Sequence, residues 1–112
     1  MVIIDDSTDF LVSAAGMLNE EGFVVVGCVA DAASAVDAVR RLRPSVVLLD
    51  IQLPVSNGFE LAAEFARMDP RPVVVLTSSR DAGAYGEALR NAPVRGFIAK
   101  RELTGDALAS MV

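Results

Sequence analysis

Apolar residues along the chain fall into five short runs, and each run is followed by apolar positions at helical spacing. Val2-Ile-Ile-Asp-Asp6 reads as a strand ending in two acids. Phe10, Leu11, Ala14, Ala15 and Leu18 then recur at intervals of three and four, and Gly22 closes that helix. Phe23-Val-Val-Val26 predicts a second strand, and Asp31 an N-cap for a helix through Ala35, Val36, Val39 and Leu42 that stops before Pro44. Ser45-Val-Val-Leu-Leu-Asp50 is the sharpest run: continuous, β-branched in part, and apolar until its last residue, as in a strand buried on both faces. Asn57 with Glu60 resembles a capping box for a helix with Leu61, Ala62 and Phe65 on its inner side.

Pro72-Val-Val-Val-Leu-Thr77 predicts a fourth strand. Asp81 could cap the next helix, but Gly83 and Gly86 lie inside it. Each glycine costs about 1 kcal/mol relative to alanine in a helix, so this helix is expected to be the loosest. Val94 to Lys100 reads as a fifth strand. Thr104 then caps a last helix, with Leu103 and Leu108 placed as a hydrophobic staple. Strand and helix alternate five times with short connections. That pattern implies an α/β domain, doubly wound, with a five-stranded parallel sheet covered on both faces.

Length and composition agree. The 112 residues suffice for one domain and one core, and the 53% apolar content argues against disorder. The longest apolar run, Phe23 to Ala30, is far below the ~18 residues that suggest a membrane span. Asp5 and Asp6 stand where an export signal carries positive charge, so a cytoplasmic location is expected. Without histidine, the commonest general base, the usual zinc ligand and the Ser–His and Cys–His triads are excluded. The lone cysteine, Cys28, excludes an internal disulfide and is expected as a small buried hydrophobe. A net charge of -5 makes the domain a poor nucleic-acid binder by itself.

The unusual polar residues all fall at the same end of a strand: Asp5, Asp6, Asp50, Thr77 and Lys100. In an open parallel sheet the carboxyl ends of the strands border the ligand crevice. Three carboxylates gathered there repel, and one lysine does not balance them. Hard oxygen ligands without His or Cys favour Mg²⁺ or Mn²⁺ over zinc. Mg²⁺ usually completes its shell with water and phosphate oxygens, so the pocket is chemically incomplete without a phosphoryl group, which Lys100 and Thr77 are suited to contact.

Taken together, Asp5-Asp6, the Asp50 strand with Pro54 and Gly58 after it, Thr77 and Lys100 resemble the CheY-like receiver domain of two-component response regulators. The resemblance covers nearly the whole chain and implies a flavodoxin-like sheet of order 2-1-3-4-5. It implies that Asp50 is the nucleophile taking a phosphoryl group from the phosphohistidine of a sensor histidine kinase. Asp6 and Asp50 would bind Mg²⁺ directly, Asp5 partly through water, and the Gln52 backbone carbonyl would be a further ligand. Lys100 would pair with the phosphoryl group and Thr77 would hydrogen-bond it, while Phe97 matches the aromatic switch position. Such a domain is a phosphoacceptor and not an enzyme in its own right. Arg101 stands where many receivers place a proline, as in receivers that carry LuxR-type DNA-binding output domains. The resemblance therefore leaves room for residues 1–112 to be the receiver part of a longer regulator with a C-terminal output domain, and for a homodimer formed through the fourth and fifth helices.

Two other classes compete. A Mg²⁺-dependent phosphohydrolase with an aspartate nucleophile usually has a second acid two residues on, where this chain has Gln52. The complete acid set speaks against a receiver-like scaffold that binds partners without phosphorylation, while Arg101 in place of the proline keeps that alternative open.

Overall fold

The computed structural model describes all 112 residues. Its sheet comprises β1 (Val2–Ile4), β2 (Gly27–Val29), β3 (Val46–Asp50), β4 (Val73–Ser78) and β5 (Gly96–Ala99), all parallel, in the order β2-β1-β3-β4-β5. The helices are α1 (Thr8–Glu20), α2 (Ala32–Leu42), α3 (Gly58–Ala66), α4 (Glu87–Asn91) and α5 (Gly105–Ala109). This is the doubly wound, flavodoxin-like arrangement expected.

Period-two alternation sorts the strands into two cores. Val2, Ile4, Val47, Leu49, Val74 and Leu76 point to one face, where Ala35 and Val39 of α2 and Leu61, Ala62 and Phe65 of α3 cover them. Ile3, Val46, Leu48, Val75 and Ile98 point to the other, against Leu11, Ala14 and Leu18 of α1 and Leu108 of α5. Side-chain caps start four of the five helices. Ser7, Asp31, Asn57 and Thr104 accept from the backbone N–H groups of Phe10, Ser34, Glu60 and Ala107, at 3.2, 2.8, 3.0 and 3.0 Å. Since Ser7 caps α1, neither Asp5 nor Asp6 is needed for that purpose.

Three expectations are corrected. The second strand is Gly27–Val29 and not residues 23–26, because the ladder with β1 pairs Val2 with Gly27 and Ile4 with Val29. The 23–26 segment leads into it, with the Met1 ammonium donating to Val24 O and Val26 N–H donating to Met1 O, both at 2.8 Å. Phe23 and Val25 still pack beneath α1 while Val24 and Val26 face solvent. Cys28 is exposed, because it falls on the outer edge strand where its face is left open. The helix expected after Asp81 is broken: one 3-10 turn covers Ala82–Ala84, Gly86 adopts φ 55°, and regular helix survives only in α4. Asp81 makes no cap and instead pairs with Arg101. The peptide bond between Lys100 and Arg101 is trans.

Two glycines predict opposite outcomes. A Cβ on Gly58 would stand 2.7 Å from Asp50 O and 2.8 Å from Ile51 Cα, both backbone, whereas Gly16 on the exposed side of α1 has open space around it. Gly58→Ala is expected to lower stability by about 2 kcal/mol or more, the range of core overpacking. Gly16→Ala should raise it by roughly 0.5–1 kcal/mol. Urea denaturation of both variants checks this through opposite shifts of the midpoint.

Candidate functional site

Asp50 is the last residue of β3, Asp5 follows β1 directly, and Lys100 follows β5. β1 and β3 are neighbours in the centre of the sheet, so their carboxyl ends bring Asp5 and Asp50 together. Asp5 continues the face of Ile3, Asp50 that of Val46 and Leu48, and Lys100 that of Ile98, so all three lean toward the α1 side. Lys100 Nζ lies 2.6 Å from Asp5 Oδ2 and 3.6 Å from Asp50 Oδ2, and 4.5 Å above the centre of the Phe10 ring on α1. Phe10 thus covers the ammonium from one side with a cation–π contact. Carboxylate oxygens of Asp5, Asp6 and Asp50 all come within 4.8 Å of one another; Asp6 is exposed while the other two are buried.

Burial is the main reason that the Asp50 carboxyl is pushed up to about 6, and the negative charge of Asp5 adds to it. The Lys100 charge and the Gln52 N–H, which donates to Asp50 Oδ1 at 3.2 Å, act in the opposite direction, and Asp6 adds a small upward push. Burial disfavours the charge on Lys100, but its hydrogen bond to Asp5 and the charges of Asp50 and Asp5 outweigh that and hold the ammonium above its ordinary value. The site therefore has a lysine fixed in its charged form and an aspartate held near the edge of ionisation.

The other sequence-predicted residues lie around this centre. Gln52 follows Asp50 in the loop to α3. Thr77 pairs with Asp50 across β3 and β4, is fully buried, and donates its hydroxyl to Ile98 O at 2.6 Å. Phe97 lies on the opposite face of β5, packed against the α2–α3 core. Two residues were missed. Ser78, also fully buried, places its Oγ 2.5 Å from Tyr85 Oη and accepts from the Arg80 N–H at 3.0 Å. Tyr85 packs edge-on against Phe59 and lies near Phe97, at centroid distances of 5.8 and 6.3 Å. The adjacent serine in Thr77-Ser78 was a legible signal; Tyr85, inside a segment read as helix, was not.

Whether a divalent cation suits this site can be judged from its donors. All are oxygens, the choice of Mg²⁺. Asp5 Oδ1 accepts from the Ser7 N–H at 2.8 Å, and buried Oδ2 has the Lys100 ammonium, 2.6 Å away, as its one partner. Three carboxylates whose oxygens meet within 4.8 Å, with one lysine shared between two of them, fit a hard cation.

A doubly wound sheet with three carboxylates and a fixed lysine at its carboxyl rim gathers oxygen donors and a positive charge in the crevice where such sheets bind ligands. Comparison with known proteins names the family. The response regulator receiver domain family matches residues 1–112. The transcriptional regulatory protein PdtaR of Mycobacterium tuberculosis is 30% identical over 112 residues, a match covering 92% of this chain and 55% of that protein. A protein-glutamate methylesterase/protein-glutamine glutaminase of Halobacterium salinarum is 31% identical over 98 residues, covering 86% of this chain and 28% of that one. Among solved structures, the receiver domain of the putative response regulator NarL from Mycobacterium tuberculosis superposes with a TM-score of 0.80 at 28% identity, over 98% of this chain and 93% of that one. The chain spans from about a quarter to about half the length of these curated relatives. The chain belongs to the response regulator receiver domain family and is a phosphoacceptor signalling module of two-component systems.

The raised Asp50 carboxyl has a consequence for stability. A carboxyl whose folded value lies above its unfolded value binds its proton more tightly when folded. Its contribution is therefore complete below about pH 4 and is lost as pH rises through about 6. The displacement from 3.8 to about 6 corresponds to at most about 3 kcal/mol. In buffer with a chelator, Asp50→Asn should melt above the wild type at pH 7.5, and the gap should shrink toward pH 4. Thermal unfolding across that range provides the check.

Proposed function

We propose that Asp50 takes a phosphoryl group from the phosphohistidine of a sensor histidine kinase. The observation that carries this reading is the buried Asp50 carboxylate, 3.6 Å from Lys100 Nζ and within 4.8 Å of Asp5 and Asp6. An Asp50 oxygen attacks phosphorus, an O–P bond forms, and the P–N bond to the imidazole breaks with its electron pair leaving on nitrogen. Lys100 pairs with the oxygens of the transferred group, where charge is spread in the transition state. Thr77, at the end of β4, hydrogen-bonds one of those oxygens. Asp5, Asp6, Asp50 and the Gln52 carbonyl would hold Mg²⁺, which when bound supplies positive charge to the phosphoryl oxygens. The domain turns over no substrate beyond its own phosphorylation and slow dephosphorylation.

The setting follows from the same reading. The domain works in the cytoplasm beside its kinase; no helix is long and apolar enough to cross a membrane. It controls an output domain or partner, a C-terminal DNA-binding domain being the type in keeping with the transcriptional regulator among its relatives. Acidic overall, it does not bind nucleic acid itself, and a homodimer would form through the faces of α4 and α5.

Acetyl phosphate with Mg²⁺ should add one phosphoryl group to the intact protein by mass spectrometry, with none in Asp50→Asn and little when the cation is chelated. Continuous phosphate release without an adduct would instead indicate a hydrolase, and no adduct a phosphorylation-independent scaffold.

A further inference from the structure

The helices α2 and α3 end together at the edge of the sheet opposite the acids. Arg40 lies in the last turn of α2, and Arg43 and Arg67 are the residues that close α2 and α3. Val46 opens β3 just after Arg43 and Asp50 ends it, so the length of that strand separates this corner from the carboxylates. The three arginines border a cleft of about 350 Å³ together with Met68, Asp69 and Pro70. Small-ligand sites begin at roughly 300 Å³. The arginine side chains that find a partner within the protein are those of Arg41, Arg90, Arg95 and Arg101. Arg40, Arg43 and Arg67 are not among them, although the chain holds 15 acids against 10 bases. We propose that this cleft binds the phosphate chain of a small anion, carried by a nucleoside polyphosphate or free as polyphosphate. Such a site is independent of phosphorylation at Asp50.

Two features separate this cleft from an ordinary solvated surface. Cations near a helix C-terminus offset its negative end, and an arginine in that role can donate to the last carbonyls. The guanidinium groups that hydrogen-bond within the protein are those of Arg95 and Arg101, so the donors of the three cleft arginines, five to each, are free for a ligand. Arg43 also holds φ 48° and ψ 55°, the left-handed conformation in which glycine is the ordinary residue, and it is the one non-glycine residue at positive φ. Backbone preference alone would place glycine there; the arginine adds a guanidinium at the cleft. Against the three positive charges stand the Asp69 carboxylate and two helix ends of about half a charge each, so the cleft stays positive. Three guanidinium groups around one small space call for an anion of several charges, and a phosphate chain supplies these with oxygens spaced for paired N–H donors. Asp69 can accept from a sugar hydroxyl, and Met68 and Pro70 offer apolar surface to a base.

Calorimetry and amide chemical shifts of the intact protein, titrated with ATP and with tripolyphosphate at constant ionic strength and with a chelator present, provide the test. Shifts should centre on residues 39–43 and 67–70. ATP binding more tightly than tripolyphosphate identifies a nucleotide as the source of the phosphates, and equal affinity identifies free polyphosphate. Arg43→Gly removes the guanidinium and suits the left-handed backbone, so its urea midpoint should hold or rise while both ligands bind about tenfold more weakly, the value of one hydrogen bond to a charged group. A purely structural role for Arg43 predicts the reverse, a lower midpoint with unchanged affinity. Arg40→Gln and Arg67→Gln should weaken binding to a similar extent, and acetyl phosphate should phosphorylate all three variants at the wild-type rate. No shift with either ligand, shifts centred on residues 5–6, 50 and 100, or wild-type affinity in Arg43→Gly overturns the proposal. A single-stranded oligonucleotide that displaces ATP and binds more tightly would make the cleft part of a nucleic-acid surface and overturns it as well.

Discussion

Like-charge repulsion at the rim of the sheet is the constraint on which the rest of the structure depends. Asp5, Asp6 and Asp50 meet within 4.8 Å, and Lys100 is the one cation in contact with the two buried acids. Lys100 sits closer to Asp5 than to Asp50, and burial first, then the Asp5 charge, push the Asp50 carboxyl up to about 6. Lys100 and the Gln52 N–H offset only part of this, and the acids cannot move apart, because both faces of β1 and β3 are packed and each backbone is locked in the ladder. The fold holds the acids together against their own repulsion, a cost that makes sense where a cation and a phosphoryl group are to be received.

The opposite face of the sheet is less evenly filled. The α2 and α3 face is tightly filled around Phe65, but toward β4 and β5 it thins to a cluster of three rings, Phe59, Tyr85 and Phe97. Residues 81–92 carry little regular structure and bury none of their side chains fully. Segments with few buried contacts open at low cost. The loosely held segment is tied to the end of β4 by the contact between Ser78 and Tyr85, one strand away from the acids that follow β1 and end β3.

Most of the fold was legible because its elements are strongly patterned. Continuous apolar runs in β3 and β4, helical spacing in α1 to α3, and the caps Asp31, Asn57 and Thr104 all act locally. Their placement at strand ends also made Asp5, Asp6, Asp50 and Lys100 stand out. What escaped was decided by tertiary context. Phe23–Val26 has the higher β-propensity, yet the ladder with β1 selects Gly27–Val29, and that shift left Cys28 exposed on the edge. Two adjacent hydroxyls look alike in sequence, and only the alternation of the strand separates Thr77, turned to Ile98, from Ser78, turned to Tyr85. The glycines flanking Tyr85 foretold a loose helix but not that it would break to present this phenol.

The central claim is that the acid cluster is electrostatically unsatisfied until a divalent cation enters it. Carbon-13 spectra of the aspartate carboxyls, followed against pH with and without Mg²⁺, test it directly. Asp50 should titrate near pH 6 without the ion and drop well below the usual carboxylate range with it. An Asp50 that titrates near 4 in the absence of Mg²⁺, or that does not respond to the ion, would contradict the account.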